Sequence, residues 1–176
     1  SDVEDVVRKL RELVKTNLKK VEDRVRKLKE EVEENVRRAE KIVRELEEEV
    51  ERLLKLVADG RVDKDELRRL VERIKRELKR VLDEDKKTVD EIDKEVKRLV
   101  EEDRETVDRI REEIKKRVRG REVAEEVERR LERSHRESRK LADEVRRALE
   151  KSNRKTRELL RRVDERVEEV REELDR

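Results

Sequence analysis

The stretch EDKKTVDEIDKEVKRLVE at residues 84–101 is followed at once by EDRETVDRIREEIKKRVR at residues 102–119. The two copies share Asp, Thr, Val and Ile at equivalent places. Because an α-helix has 3.6 residues per turn, 18 residues complete five turns and equivalent residues face the same direction. The stretch therefore predicts a helix with one repeated face.

A similar apolar stripe runs along the first third of the chain. From Val3 to Val57, fifteen steps cover 54 residues, which is a mean spacing of 3.6. A strict seven-residue repeat would give 3.5 and a left-handed supercoil, so this spacing predicts a nearly straight helix. The stripe consists of Val3, Val7, Leu10, Val14, Asn17, Val21, Val25, Leu28, Val32, Asn35, Ala39, Ile42, Leu46, Val50, Leu53 and Val57.

The only two glycines, Gly60 and Gly120, divide the chain almost into thirds. Glycine just past a periodic segment commonly ends a helix, because it adopts the left-handed conformation easily. Asp63 can cap a following helix, whereas no capping side chain follows Gly120. We therefore predict helices at about 2–58, 64–118 and 122–175. The fold class expected is all-α: a single domain over residues 1–176, a monomeric up-down-up three-helix bundle.

Apart from Ser1, every Asn, Thr, Ser and His lies at one of two levels of this bundle. Two Asp residues in the repeated stretch join them, and their helical phase points inward or to the edge of the apolar stripe. The lower level holds Asn17 beside Thr16, Asp103, Thr106, Ser134, His135 and Ser138, and the upper holds Asn35, Asp85, Thr88, Ser152, Asn153 and Thr156.

The numbering of these residues supports two chain reversals. Asn17 with Thr106 and Asn35 with Thr88 both sum to 123, as expected for antiparallel neighbours, and the accompanying Asp103 and Asp85 sum to 120 with the same two asparagines. Thr106 with Ser134 sums to 240, and so do their upper counterparts. Buried polar groups are tolerable when they bond one another, since an unpaired one costs about 1–3 kcal/mol. The sequence therefore predicts structural polar networks that fix the helix register.

Composition argues against several classes of function. Charged residues make up 61% of the chain, yet the net charge is only +2 because acids interrupt nearly every basic run. Nucleic-acid binding would require clustered positive charge, and a membrane span would require about 20 apolar residues. We therefore expect no nucleic acid, membrane, cofactor or obligatory partner. No targeting signal is evident, so the location is unknown, and cytoplasmic only as an expectation in an expression host.

The lower level contains residue types that also occur in catalytic and metal-binding sites. Ser134 or Ser138 with His135 and Asp103 has the composition of a hydrolase triad. No nearby glycine or helix N-terminus would supply an oxyanion hole, and a compact core offers no cleft. The upper level places Asn153 where His135 stands below, which favours a hydrogen-bonding role. One histidine cannot build a bundle metal site, so no catalytic or metal-binding residue is expected.

With these repeats and paired levels, the chain resembles de novo designed helical bundles with buried hydrogen-bond networks. The resemblance implies a very stable scaffold with no natural biochemical activity. A designed interaction module or switch, in which a helix face binds a partner helix, is the alternative. A natural spectrin-like or membrane-bending bundle would be expected to contain core aromatic residues and longer loops; this chain has no Phe, Tyr or Trp.

Overall fold

The computed structural model describes residues 2–176, the side chain of Asp2 excepted, and they form three long α-helices. Helix α1 is Asp2–Asp59, α2 is Lys64–Arg117 and α3 is Arg121–Asp175. The described residues contain no strand. The helices pack against one another through their apolar faces, and the predicted three-helix bundle is confirmed.

Contacts divide the chain into two compact units, and each contains part of all three helices. Unit 1 comprises the chain up to Glu30 together with Ile92–Ala148. Unit 2 comprises Glu31–Glu91 together with Leu149–Arg176.

Each unit has its own aliphatic core, built from side chains spaced three or four residues apart. Full burial of one such side chain contributes about 1.5–3 kcal/mol, which is why amphipathic helices associate. In unit 1 the cluster is Val7, Leu10, Val14, Val107, Ile110, Ile114, Val118, Val127 and Leu131. In unit 2 it is Val43, Leu46, Val50, Leu53, Leu67, Val71, Ile74, Leu78, Val81, Leu160, Val163, Val167, Val170 and Leu174.

The buried stripe of α1 differs from the predicted one at four places, and two of its predicted members, Asn17 and Val57, are half-buried. Val3 is 49% exposed, since it lies in the first turn of the helix. Val43 is buried in place of Ile42, which packs against the core only partly. The step from Ala39 to Val43 is four residues, whereas the predicted step to Ile42 is three. Both spacings keep side chains on one face of a helix.

Ion pairs between α1 and α3 show that these helices are parallel within each unit. The partners' residue numbers rise together at a constant separation of 115. Two pairs belong to unit 1 and two to unit 2. They are Arg11–Glu126, Lys29–Glu144, Glu40–Lys155 and Glu51–Arg166.

Helix α2 runs antiparallel to the other two. In unit 2 its ion pairs Glu72–Arg171 and Lys75–Glu168 both sum to 243, so one number rises as the other falls. In unit 1 the ion pair of Arg111 with Glu128 sums to 239 and the contact of Asp103 with His135 sums to 238, so α2 is antiparallel to α3 there as well. The up-down-up order of the helices therefore holds within both units.

The turn between α1 and α2 uses the chemistry expected from its sequence. Gly60 has φ of 65°, in the left-handed region, and its N–H donates to the carbonyl of Val57. Asp63 Oδ1 accepts from the N–H of Asp65 at 3.2 Å, which caps the start of α2. Val62 packs against the unit 2 core. One glycine and one cap therefore end α1 and begin α2.

The turn between α2 and α3 works differently. Gly60 is the only described glycine with positive φ, so the expectation of a left-handed stop at Gly120 is wrong. The carbonyl of Gly120 instead accepts the N–H of Ala124 at 2.9 Å, as the first acceptor of α3. Gly120 therefore occupies the N-cap position, where glycine is acceptable even though it offers no side-chain oxygen.

Substitutions at the two glycines should have opposite effects on stability. Gly60→Ala should lower the free energy of unfolding by about 1–2 kcal/mol, because an L-residue is strained at this φ; a Cβ there would meet no atom within 4 Å. Gly120→Ser should raise it by about 0.5 kcal/mol by supplying a capping oxygen. Denaturant unfolding measures both, and equal effects of the two substitutions would contradict this assignment of the turns.

Candidate functional site

The unit 1 polar cluster is centred on Asp103 of α2, which is only 4% exposed. Its Oδ1 accepts a hydrogen bond from Asn17 Nδ2 of α1 at 2.7 Å. Its Oδ2 lies 2.8 Å from His135 Nδ1 of α3. Because a carboxylate oxygen accepts, Nδ1 carries the proton and donates it. One buried carboxylate therefore joins all three helices.

The hydroxyl groups predicted at this level differ in burial and in hydrogen-bond partners. Thr106 is half-buried and donates to the carbonyl of Glu102 in its own helix at 3.0 Å, while it accepts from Arg109. Ser134 and Ser138 are buried, and Ser138 Oγ has no hydrogen-bond partner among the described residues. Thr16 is exposed. Of the predicted lower residues, the structure joins Asn17, Asp103 and His135 by hydrogen bonds.

The unit 2 polar cluster repeats half of this arrangement. Asn35 Nδ2 donates to Asp85 Oδ1 at 2.7 Å, which matches the contact of Asn17 with Asp103. Ser152 and Thr156 of α3 are also buried. Within residues 3–176, three oxygens of this cluster have no hydrogen-bond partner: Asp85 Oδ2, Ser152 Oγ and Thr156 Oγ1. Thr88 and Asn153 are half-buried.

The difference between the units follows from one position of the repeat. His135 reaches Asp103 Oδ2, whereas Asn153, 18 residues further along, leaves Asp85 Oδ2 without a described partner. Burial raises the pKa of Asp85 above its ordinary value of 3.8. The hydrogen bond from Asn35 and the positive charge of Arg157 oppose that rise. Asp85 is therefore a buried acid with incomplete compensation.

The geometry does not assemble a nucleophile and base. No hydrogen bond joins Ser134 or Ser138 to His135 in the described part of the chain, and the Nδ1 of His135 is engaged by Asp103. Among the described side chains, no group of three His, Cys, Asp or Glu is placed to hold a metal ion. The cluster can hold helices together by hydrogen bonds, and the structure supplies no catalytic arrangement to add to this.

The expectation that the bundle has no cleft is not met. A groove of about 710 Å³ lies between α1 and α2 in unit 1. Asn17, Asp103 and Thr106 line it, together with apolar residues such as Leu13. His135 and the two buried serines are not part of its lining in the described structure. The groove therefore exposes one side of the polar cluster but not the residues of the hypothetical triad.

No described helix has the length and apolar character needed to traverse a lipid bilayer. No protein-family model matches the sequence, and no curated protein sequence is significantly similar to it. Among solved structures, the chain is similar to one described as "Computationally designed three helix bundle". The TM-score is 0.44 and the identity 17%, over 99% of this chain and 84% of that chain. A likeness at this level says nothing about activity or partners.

Removing His135 should destabilise the protein, because a buried oxygen of Asp103 would lose its donor. We expect His135→Ala to lower the free energy of unfolding by about 1–3 kcal/mol. Asn153→Ala is the matched control at the equivalent position of the repeat and should change stability by about 0.5 kcal/mol or less. A double-mutant cycle with Asp103→Asn isolates the pairwise energy. An interaction energy of zero would show that the contact contributes nothing.

Asp85 should make stability depend on pH in a direction opposite to that of a salt-bridged acid. Its folded pKa is raised above 3.8, so the folded chain binds a proton more readily than the unfolded chain. Its destabilising effect is therefore complete above the folded pKa and vanishes as the pH falls to the unfolded value. Asp85→Asn should be more stable than the parent at neutral pH, and the difference should shrink on acidification.

The free energy of unfolding, measured from neutral pH down to the unfolded value of 3.8 for the parent and Asp85→Asn, tests this pH dependence. Asp83→Asn, an exposed acid half a turn away, is the control for the loss of one negative charge. A difference between Asp85→Asn and parent that grew on acidification would contradict the assigned direction.

Proposed function

We propose that this chain is a designed, very stable monomeric scaffold of one domain, whose polar clusters specify the register of its helices. The observation that supports this most strongly is Asp103, whose two oxygens are bonded from two different helices. No natural biochemical activity is assigned to it. The aromatic-free composition, the 18-residue repeats and the absence of any matching family fit a designed origin.

The aliphatic core and the polar clusters differ in how strongly they oppose a displaced register. Val, Leu and Ile recur every three or four residues, so a helix displaced by one turn would still find apolar neighbours. The same displacement would separate Asp103 from Asn17 and His135. Leaving a buried acceptor unpaired costs about 1–3 kcal/mol, and a buried charge without partners costs more. The polar contacts therefore penalise displaced registers much more than they stabilise the correct one.

The 18-residue repeat allows an incorrect register shifted by 18 residues, and the polar clusters penalise that register only weakly. A shift by one full repeat would bring residues of one cluster opposite the equivalent residues of the other. The ion pairs between α1 and α3 oppose this shift in the direction that increases the separation of paired residues, because α1 contributes the basic partner in unit 1 and the acidic partner in unit 2.

The effect can be followed residue by residue. If the separation of paired residues in α1 and α3 rose by 18 from its value of 115, Lys29 would face Arg162 and Glu40 would face Glu173, and only Arg11 would find an acid, Glu144. If it fell by 18, the repulsion of Glu40 by Glu137 would be offset by the attraction of Lys29 to Glu126. Partly exposed ion pairs contribute only about 0–1 kcal/mol each, so their main effect is selection against the register with the larger separation.

A monomer is proposed because each helix has one apolar stripe and the core within each unit uses it. The large hydrophobic side chains exposed in the described structure are Val3, Leu13 and Leu56. Val3 and Leu13 are ten residues apart on α1, which corresponds to about 15 Å along a helix. Such isolated side chains are ordinary on monomeric surfaces and do not form a patch for a partner helix.

Register can be tested by replacing the unit 1 cluster with leucine: Asn17→Leu, Asp103→Leu and His135→Leu together. All three must change, because any partner left alone would be a buried unpaired group. We expect stability to be kept or raised, since hydrophobic replacement of buried charged networks is often neutral or favourable. Spin labels at Lys15 and Arg130, both exposed, should then report a broadened or displaced distance between α1 and α3.

The same labels in the parent should give one narrow distance, with light scattering showing one chain per particle. The control is Leu10→Ile, Ile110→Leu and Leu131→Ile, which alters the core at constant volume and should keep the narrow distance. If the leucine variant keeps an unchanged narrow distance, the cluster does not specify register. If it fails to fold, the cluster has a role beyond register.

A further inference from the structure

A groove in unit 2 joins an apolar floor to a cluster of basic side chains. It has a volume of about 580 Å³ and lies between α2 and α3. Leu78, Leu82 and Leu160 contribute its apolar lining. Leu78 and Leu160 are 7% exposed, so their contacts are set by the core, while Leu82 is half-buried. The size lies within the range of small-molecule sites in proteins.

The register of α2 and α3 places two like charges opposite each other at one end of this groove. The ion pairs Glu72–Arg171 and Lys75–Glu168 sum to 243. Lys86 and Arg157 also sum to 243, and both line the groove. The same interface that pairs opposite charges elsewhere therefore brings two cations to one level here.

These two cations are not neutralised by ion pairs. In residues 3–176, neither Lys86 nor Arg157 has a carboxylate within 4.0 Å, and Lys79 in the same groove has none either. The positive charge of Arg157 acts on the pKa of the buried Asp85 and opposes the rise that burial causes. Two other basic residues of the lining are ion-paired, Lys75 with Glu168 and Arg161 with Glu158 and Glu165. That leaves Lys79, Lys86 and Arg157 without an ion pair in the described structure, against Asp164 as the one acid in the lining. The groove therefore retains excess positive charge beside its apolar floor.

We propose that this groove binds an anionic amphiphile with a single alkyl chain, such as a fatty carboxylate. The headgroup lies between Lys86 and Arg157, where an anion relieves their repulsion and accepts charge-assisted hydrogen bonds. The chain follows Leu82, Leu78 and Leu160 along the groove. From Lys86 to Lys75 the α2 wall extends eleven residues, which is about 16 Å at the helical rise. Burial of methylene groups supplies the rest of the affinity.

Decanoate is the probe, titrated at low ionic strength and below its aggregation concentration into protein with ¹³C-labelled leucine methyl groups. We expect saturable shifts of the methyl resonances of Leu78, Leu82 and Leu160, with a dissociation constant of about 1 mM or tighter. Butanoate, which carries the headgroup without the length, should bind at least about 10-fold more weakly. Saturable shifts of equal strength with butanoate would overturn the proposal, as would no saturable shift with decanoate.

Lys86→Glu should weaken decanoate binding by about 10-fold or more, because the new carboxylate would pair with Arg157 and repel the headgroup. Lys86→Gln is the second variant, which removes the charge without creating an ion pair. Lys41→Glu is the matched control, since Lys41 is an exposed lysine of α1 in the same unit and outside the groove. Equal weakening by Lys86→Glu and Lys41→Glu would overturn the site in favour of general electrostatic attraction.

Discussion

The register proposed for the helices depends on one buried carboxylate, which has a hydrogen-bond partner at each of its two oxygens. Asp103 lies in a core of aliphatic side chains, where an unpaired charge would be severely destabilising, and it is tolerable because Asn17 and His135 both donate to it. Each donor lies on a different helix. The contact is therefore satisfied only when three backbones take one relative position, whereas the surrounding Val, Leu and Ile side chains accept several. In the proposed scaffold, this requirement is what selects one register of the helices in unit 1.

Unit 2 contains an equivalent buried carboxylate with only part of the hydrogen bonding. Asp85 keeps the asparagine contact, but its second oxygen and two hydroxyl groups of α3 lack described partners. Burial without full compensation raises the pKa of Asp85. The nearby Arg157 offsets part of that cost through its positive charge, and the same guanidinium faces Lys86 across the groove between α2 and α3. The incomplete cluster and the surplus of positive charge beside it are therefore connected.

Much of the fold could be predicted from the sequence because its signals are local and repeated. The 3.6-residue spacing predicts the helices, and Gly60 with Asp63 predicts the first turn. The reversal of the chain predicts that Asn17 lies level with Thr106 and Asp103, but not which of the two it bonds. The role of Gly120 could not be obtained in this way. Glycine is acceptable both at a helix end and at a helix start, and the neighbouring residues carry no capping side chain that would decide between them.

The hydrogen-bond pattern was harder to predict than the position of the clusters. A threonine in a helix can bond a carbonyl of its own preceding turn, as Thr106 does, and the sequence does not show which partner it will choose. The ion pairs between helices were equally hidden, because most surface arginines also have carboxylates three or four residues away. Only the placement of α3 beside α1 selects Glu126 for Arg11, and Arg166 for Glu51.

The core of unit 2 contains Leu174, from the last turn of α3, and Val62, from the turn between α1 and α2, packs against it. The two segments are far apart in sequence, yet they reach the same end of that unit through rigid helices. Chemical groups attached at exposed neighbours of these residues, Arg61 and Asp175, would be separated by a distance comparable to that between packed helices, about 10 Å, without a flexible linker. This end of unit 2 is therefore suited to attaching pairs of dyes, binding loops or metal chelators whose separation must stay constant.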